Sequence, residues 1–222
     1  MKSQEGGAVC VIVNVPIASF RMPHAREYFE TYRVPPPSTV FGMLLSLVGE
    51  RWRTEHAGAE IATVVLSRPA VSTVLRTMRR VKNLDLAAKA NARPDFQELL
   101  VDVQLATWVR AGQSECGRPS RRRLADRVRD ALREPSGVER FGALSLGEST
   151  HLVNDIRALR QGETVRGSLL LPAAEGSLTL PVWPDHVGSS ATRWGRYELV
   201  EFEGHEPPPD AWQSCAPLSG EG

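Results

Sequence analysis

No stretch of this chain approaches the eighteen or so apolar residues that a membrane span needs, so no segment reads as a transmembrane helix. Cysteine is scarce. Cys10, Cys116 and Cys215 are an odd number, far apart, with no CxxC pair and no adjoining His, which argues against a disulfide framework and against a zinc site. The five histidines (His24, His56, His151, His186, His205) show no metal-ligand spacing to one another, to a Cys or to a carboxylate on a helix face. Neither a GxSxG nucleophile elbow nor a GxxxxGK[ST] phosphate loop occurs, and no metal or organic cofactor is expected. Lysine is limited to Lys2, Lys82 and Lys89, so nearly all positive charge is arginine. The N-terminal MKSQEGGAVCVIVNV has one Lys and an apolar run too short and too β-branched for a secretory signal. These features together predict a reducing, cytoplasmic setting.

What is present is enough for a core. The chain has 222 residues, 41% of them hydrophobic, which suits one large domain with or without a smaller appendage. The net charge of +1 hides an uneven distribution. Residues 1–67 are balanced, residues 68–133 carry fifteen basic against seven acidic side chains, and residues 134–222 carry six against thirteen. A basic middle third points to a polyanionic partner, although a solvated helix could carry the same charges.

Along the chain, Ala8–Val15 is a β-branched run bounded by Gly6-Gly7 and Pro16 and predicts a buried strand. Ile61–Arg68, ended by Pro69, predicts a second. Val71–Val81 has strand propensity yet carries Arg76, Arg79 and Arg80, with Lys82 just beyond. Gln97–Val109 alternates, with Leu99, Val101, Val103, Leu105, Thr107 and Val109 on one face. The two runs predict a long hairpin with a basic tip, over about residues 71–109. Pro119–Arg133 predicts a helix with a stripe of Leu124, Val128 and Leu132. Arg118, Arg121, Arg122 and Arg123 crowd its start, where the helix dipole disfavours cations unless an anion lies nearby. After Pro135 the strands Phe141–Leu146, Leu152–Ala158, Val165–Leu171, Ser177–Val182 and Arg193–Phe202 are expected, and 205–222 reads as a flexible tail. Glu148, Ser149, Thr150 and His151 put acid, hydroxyl and imidazole together, but adjacent residues converge poorly on one atom, and a turn capping strand ends is the better reading.

The order strand, helix, strand, hairpin strand, helix, strand predicts an α+β fold. It has a ferredoxin-like (RRM-like) βαββαβ core over 1–160, a projecting hairpin thumb and a small β appendage over 161–204.

The stretch Tyr28–Glu50 has three parts. Tyr28, Phe29 and Tyr32 interleave with Arg26, Glu30 and Arg33 as an aromatic and basic arm. Pro35, Pro36 and Pro37 form a stiff extended connector. Ser38 or Thr39 is then expected to cap a helix that is apolar nearly all round, whose Gly42 and Ser46 would let another backbone approach and whose stop is Gly49.

Ser19-Phe20-Arg21 at the end of the first strand, then this arm, then PPPSTVFGMLLSLVGE, resembles the CRISPR-associated Cas-five family of the RAMP superfamily, subunits of Cascade-type RNA-guided complexes. LSLGESTHLVNDIR (Leu144–Arg157) and WGRYELVEF (Trp194–Phe202) strengthen the likeness. The resemblance implies a non-catalytic subunit of a type I complex that holds the 5′ handle of the CRISPR RNA. It would cap a filament of Cas-seven backbone subunits, contact the large subunit, and meet target DNA only indirectly. On that reading Phe20, Tyr28 and Tyr32 stack on bases or shape the handle pocket. Arg21, Arg26, Arg76, Arg79, Arg80 and Lys82 contact phosphates, and Ser38 and Thr39 donate hydrogen bonds. One Cas-five subtype cleaves precursor RNA with a tyrosine, a lysine and a histidine, which makes a metal-independent endoribonuclease the alternative. That triad has no residue-by-residue match here, and the C-terminal glycine-rich loop common in RAMP proteins is not recognisable.

Overall fold

A computed structural model describes residues 7–25, 28–79, 85, 87–115, 122–188 and 190–218. The first strand, β1 (Val9–Ala18), sends Val9, Val11, Val13 and Val15 to one buried face and Cys10 and Ile12 to the other. It pairs antiparallel with the long β5 (Ala92–Arg110) and, on its other edge, with β6 (Asp155–Ala158). β3 (Ala59–Val65) lies antiparallel on the far side of β5, giving the order β6-β1-β5-β3. The sheet continues through β7 (Val165–Pro172), β9 (Arg193–Gly204) and β8 (Leu178–Trp183), so the expected appendage strands extend the same sheet through the β3–β7 pairing.

Two helices lie against the valine face of this sheet. α1 (Pro37–Leu47) starts earlier than expected: Pro36 is the cap and Pro37 occupies the first helical position, where its fixed φ and missing N–H cost nothing. Ser38 and Thr39 therefore sit inside the first turn and make no capping bond. The stop at Gly49 holds. Its φ is +69°, Glu50 N–H donates to Leu45 O at 2.9 Å and Gly49 N–H to Ser46 O at 3.1 Å, which is a Schellman closure. Val40, Phe41, Met43, Leu44, Leu45 and Leu47 are buried, but Gly42 is exposed and a Cβ there would meet nothing. Among the described residues, the expected close backbone approach is not found at Gly42.

α2 (Leu124–Arg133) buries Leu124, Ala125, Val128 and Ala131 against α1, β1 and β5. The anion that its cationic start calls for is part of the chain. Glu115 Oε1 accepts the Leu124 N–H at 2.9 Å, and Arg123 Nη1 donates to Glu115 O at 2.6 Å. Arg122 pairs with Asp130, and Arg118 and Arg121 lie outside the described residues.

β5 runs for 19 residues and does two jobs. Its second half is a central core strand, and its first half forms the hairpin with β4 (Ala70–Arg79). The change happens at Asp102, whose φ is +64°. Val65 faces Leu105 and Ala70 faces Val101, so four residues of the β3–β4 crossing lie opposite three of β5, a bulge. Ser67 Oγ closes it by donating to Asp102 O (2.7 Å) and accepting from Gln104 N–H (3.0 Å). Strict alternation over 97–109 consequently fails: Val103 and Leu105 point to the helices, but so does Leu100, while Val101 is exposed. β1 changes phase at the same level. Pro16, which was expected to end that strand, lies between the pairs Val15–Val103 and Ile17–Val101 where β6 no longer accompanies β1.

The second face of the sheet buries Cys10, Ala62, Val64, Ala106, Trp108, Val165 and Leu169. Part of its cover comes from the segment expected to be a flexible tail. Ala211 is buried there with Trp212 packed beside it, Cys215 is buried on the helix side, and β10 (Gln213–Cys215) pairs with β3. Trp108 Nε1–H donates to His205 O at 3.2 Å. Proline removed donors from that segment without removing its apolar anchors. The expected strand Phe141–Leu146 is instead irregular, touching Leu152 through a single bridge at Ser145.

Candidate nucleic-acid interface

The β4–β5 hairpin has two chemically different faces, and the register fixes which side chains share each. Arg76 lies opposite Asp95, with Gln97 two pairs further along, on the face turned to the body. Gln97 Nε2 donates to Glu148 Oε1 at 2.8 Å and Arg76 Nη1 approaches Glu148 Oε2 at 3.5 Å. Asp95, fully buried, lies 3.1 Å from Arg93 Nε. One carboxylate, Glu148, therefore holds both strands of the hairpin to the body.

Glu148 is placed by a tight turn. Gly147 has φ +93°, and a Cβ there would fall on the carbonyl oxygen of Ser19. His151 N–H donates to Glu148 O at 2.9 Å, and Ser19 N–H donates to His151 Nδ1 at 3.1 Å. Because Nδ1 accepts, the imidazole proton sits on Nε2, which lies 4.0 Å from Glu148 Oε2. Burial holds the His151 pKa below its usual value, with Glu148 opposing and Arg76 reinforcing that shift. The Glu148–His151 segment is a turn that positions the hairpin.

On the opposite face Tyr28, Phe96 and Leu75 form a row. A two-residue strand, β2 (Tyr28–Phe29), runs parallel to β5 with Tyr28 beside Phe96, and Leu75 is the direct partner of Phe96 across β4. The Tyr28 and Phe96 rings stack with centroids 6.2 Å apart and planes at 29°. The Tyr28 hydroxyl lies 3.3 Å from Thr73 Oγ1 and 3.4 Å from Glu98 Oε1.

Beside the hairpin's anchor is a cleft of about 390 Å³ whose walls include Phe20, Arg21, Ser38, Thr39, Glu148 and Trp194. Four sequence-nominated residues and all three family-like patches thus converge on one cavity. Phe20 is 3% exposed and packs in the core, so it shapes the wall and offers no free ring face. Arg21 lies 3.9 Å from the centroid of Phe29, and its Nη2 donates to Ala25 O at 2.9 Å. Tyr32 packs against the core, and burial raises its pKa. Arg79 stands exposed near the far end of β4. Arg26, Arg80 and Lys82 lie outside the described residues. Sequence reasoning missed Phe96, one position before the alternating run began, and also missed Gln97 and Glu148 as the anchor.

Among the described residues no cluster of three or more His, Cys, Asp or Glu side chains could hold a metal ion, and no helix is long and apolar enough to cross a membrane. Burial pushes the Cys10 and Cys215 thiols up to about 12, so both are inert at neutral pH. Cys116 lies outside the described residues.

The family model described as CRISPR-associated protein (Cas_Cas5) matches residues 8–165. The chain belongs to the Cas5 family. A CRISPR-associated protein Cas5 of Myxococcus xanthus (strain DK1622) is 47% identical over 197 residues, covering 86% of this chain and 91% of that protein. Among solved structures, a chain of a CRISPR RNA-guided surveillance complex superposes with a TM-score of 0.58 at 14% identity, over 92% of this chain and 96% of that one. A crystal structure of a Cas protein matches with a TM-score of 0.48 at 13% identity, over 89% and 94%. The fold shared with the first of these, a large antiparallel sheet with two helices, is the scaffold on which this Cas5 chain mounts its hairpin and cleft.

Proposed function

We propose that this Cas5 family chain is a non-catalytic subunit of a type I Cascade complex. It holds the 5′ handle of the CRISPR RNA and caps one end of the filament of Cas-seven backbone subunits, beside the large subunit. In this reading β6-β1-β5-β3 with α1 and α2 is a ferredoxin-like, RRM-like core, and the β4–β5 hairpin is the thumb. The observation that carries the reading is the anchored hairpin: a β-ribbon bearing Arg76, Arg79 and Phe96, with Tyr28 of β2 stacked on Phe96, beside a cleft walled by Arg21, Ser38 and Thr39. Cationic side chains for phosphates and exposed rings for splayed bases are what single-stranded RNA recognition requires. His151, the imidazole closest to this cleft's Glu148, is sealed at 5% exposure and spends Nδ1 on the backbone, so it supports positioning better than proton transfer to RNA.

The test is binding of the pure chain to labelled precursor RNA without added metal. Retention of an uncut RNA through its repeat-derived 5′ segment supports the proposal. A specific cut in the repeat would replace it with a processing endoribonuclease. Crosslinking of the handle to another subunit in the assembled complex would remove the handle from this chain.

A further inference from the structure

The row Leu75–Phe96–Tyr28 is the most exposed apolar feature of the hairpin, and the core does not need it. Leu75 is 63% exposed, Phe96 49% and Tyr28 42%, on three hydrogen-bonded neighbouring strands. Neighbouring strands lie about 4.8 Å apart, so the row spans about 10 Å, wide enough to receive the flat face of one nucleobase. It is also pre-set. The Tyr28 hydroxyl is tied to Thr73 and Glu98, Glu98 also accepts the Thr31 N–H at 3.2 Å, and the Tyr28 and Phe96 rings brace each other.

We propose that this row is a stacking platform for one unpaired RNA base, with the Phe96 ring as its centre and Leu75 and Tyr28 as its flanks. The inference deepens the RNA-binding reading above and rests on it. Charge selects nucleic acid over another protein as the occupant. Arg33, its side chain 57% exposed, stands 3.8 Å from Glu98 at one side, and Arg79 shares the face four residues beyond Leu75. An apolar, aromatic strip flanked by arginines presents a π-face to a base and cations to the phosphates on either side. Arg76 faces the other way, toward Glu148 at the edge of the cleft, so the apolar row and the cleft lie on opposite sides of the hairpin.

Phe96→Ser in the full-length chain tests this, using a labelled single-stranded RNA that carries the repeat-derived 5′ end. The dissociation constant should rise between about 5-fold and about 150-fold, the range for losing one aromatic–base stack. The slope of binding against salt should not change, because no charge is removed. Phe96→Tyr should restore affinity, and Leu75→Ser should weaken binding to a smaller extent. Replacing the stacked nucleotide by an abasic one should weaken the wild type and leave Phe96→Ser no worse. Unchanged affinity of Phe96→Ser and Leu75→Ser for an RNA that the wild type binds would overturn the platform while leaving the handle reading intact. Loss of backbone-subunit capture with RNA affinity intact would also overturn it, making the row a protein contact. A wild-type chain that fails to bind the RNA would sink both.

Discussion

His56 Nδ1 lies 2.8 Å from Glu115 Oε1, and both side chains are sealed from water at 1% and 0% exposure. On the other side of the ring, Arg127 Nη1 is 2.9 Å from Nε2. A guanidinium can only donate, so Nε2 accepts and the imidazole proton is on Nδ1, pointing at Glu115. Arg127 also reaches Glu50 Oε2 at 2.6 Å and Val48 O at 2.9 Å. This chain of groups ties the end of α1, the start of α2 and the turn at His56 into one unit beneath the sheet.

Glu115→Ala should therefore destabilise the fold by about 3–5 kcal/mol, because it strands the His56 ring and the Leu124 N–H around an empty site. Glu115→Gln keeps an acceptor and should cost less than half as much. Urea midpoints of the two variants check this; equal losses would show that geometry matters less than charge at this site.

Glu148→Gln makes a different prediction. A glutamine oxygen can still accept from Gln97, so the hairpin stays anchored, but the negative charge beside Arg76 is gone. Arg76 becomes free to meet a phosphate, and RNA affinity should rise about two- to fivefold, in line with the modest worth of a half-exposed ion pair. The salt slope should steepen by at most about one, whereas Arg79→Ala should flatten it by about one. Filter binding across a salt series reads both. A weaker complex with Glu148→Gln would mean that the carboxylate serves the RNA directly.

Those two sites differ in how far the sequence revealed them. The strands were legible wherever β-branched runs met a turn residue, as in Val9–Val15, and Gly49 announced the end of α1. Arg76 and Arg79 were legible because arginines are conspicuous in a strand. The anchor was not, since nothing local links Gln97 to Glu148 across fifty-one positions. The phase change at Asp102 was equally hidden, because it arises from β5 exchanging β3 for β4, a tertiary event that a regular run of Leu and Val does not encode. The arginines at the start of α2 pointed outward to a polyanion, yet the described ones are answered within the chain by Glu115 and Asp130. Charge density alone does not say which partner satisfies it.

The C-terminal segment offers a third check. Ending the chain after Glu206 would remove Ala211, Trp212 and β10, uncover part of the Trp108 face and free the β3 edge at Ala59–Ile61. Loss of that burial should lower the thermal midpoint by about 5–15 °C. The freed edge should also promote association. Differential scanning fluorimetry and light scattering measure the two effects. A truncated chain that melts with the wild type would return 207–222 to the status of a dispensable tail.

His151 carries the pH dependence. Burial keeps its folded-state pKa below the usual 6.5, with the Glu148 carboxylate opposing. As the pH falls through 6.5 the unfolded chain takes up this proton before the folded chain does, so the unfolded state binds more protons in that window. Stability is complete above 6.5 and declines as the pH drops toward the folded value. His151→Asn keeps an acceptor for the Ser19 N–H and removes the titrating group, so it should flatten the decline that sets in as the pH falls below 6.5. Urea midpoints measured for both proteins across that range isolate the difference, since every other ionising group is common to the two. Parallel curves would assign the acid sensitivity to carboxylates elsewhere and leave His151 a purely geometric support for the Glu148 turn.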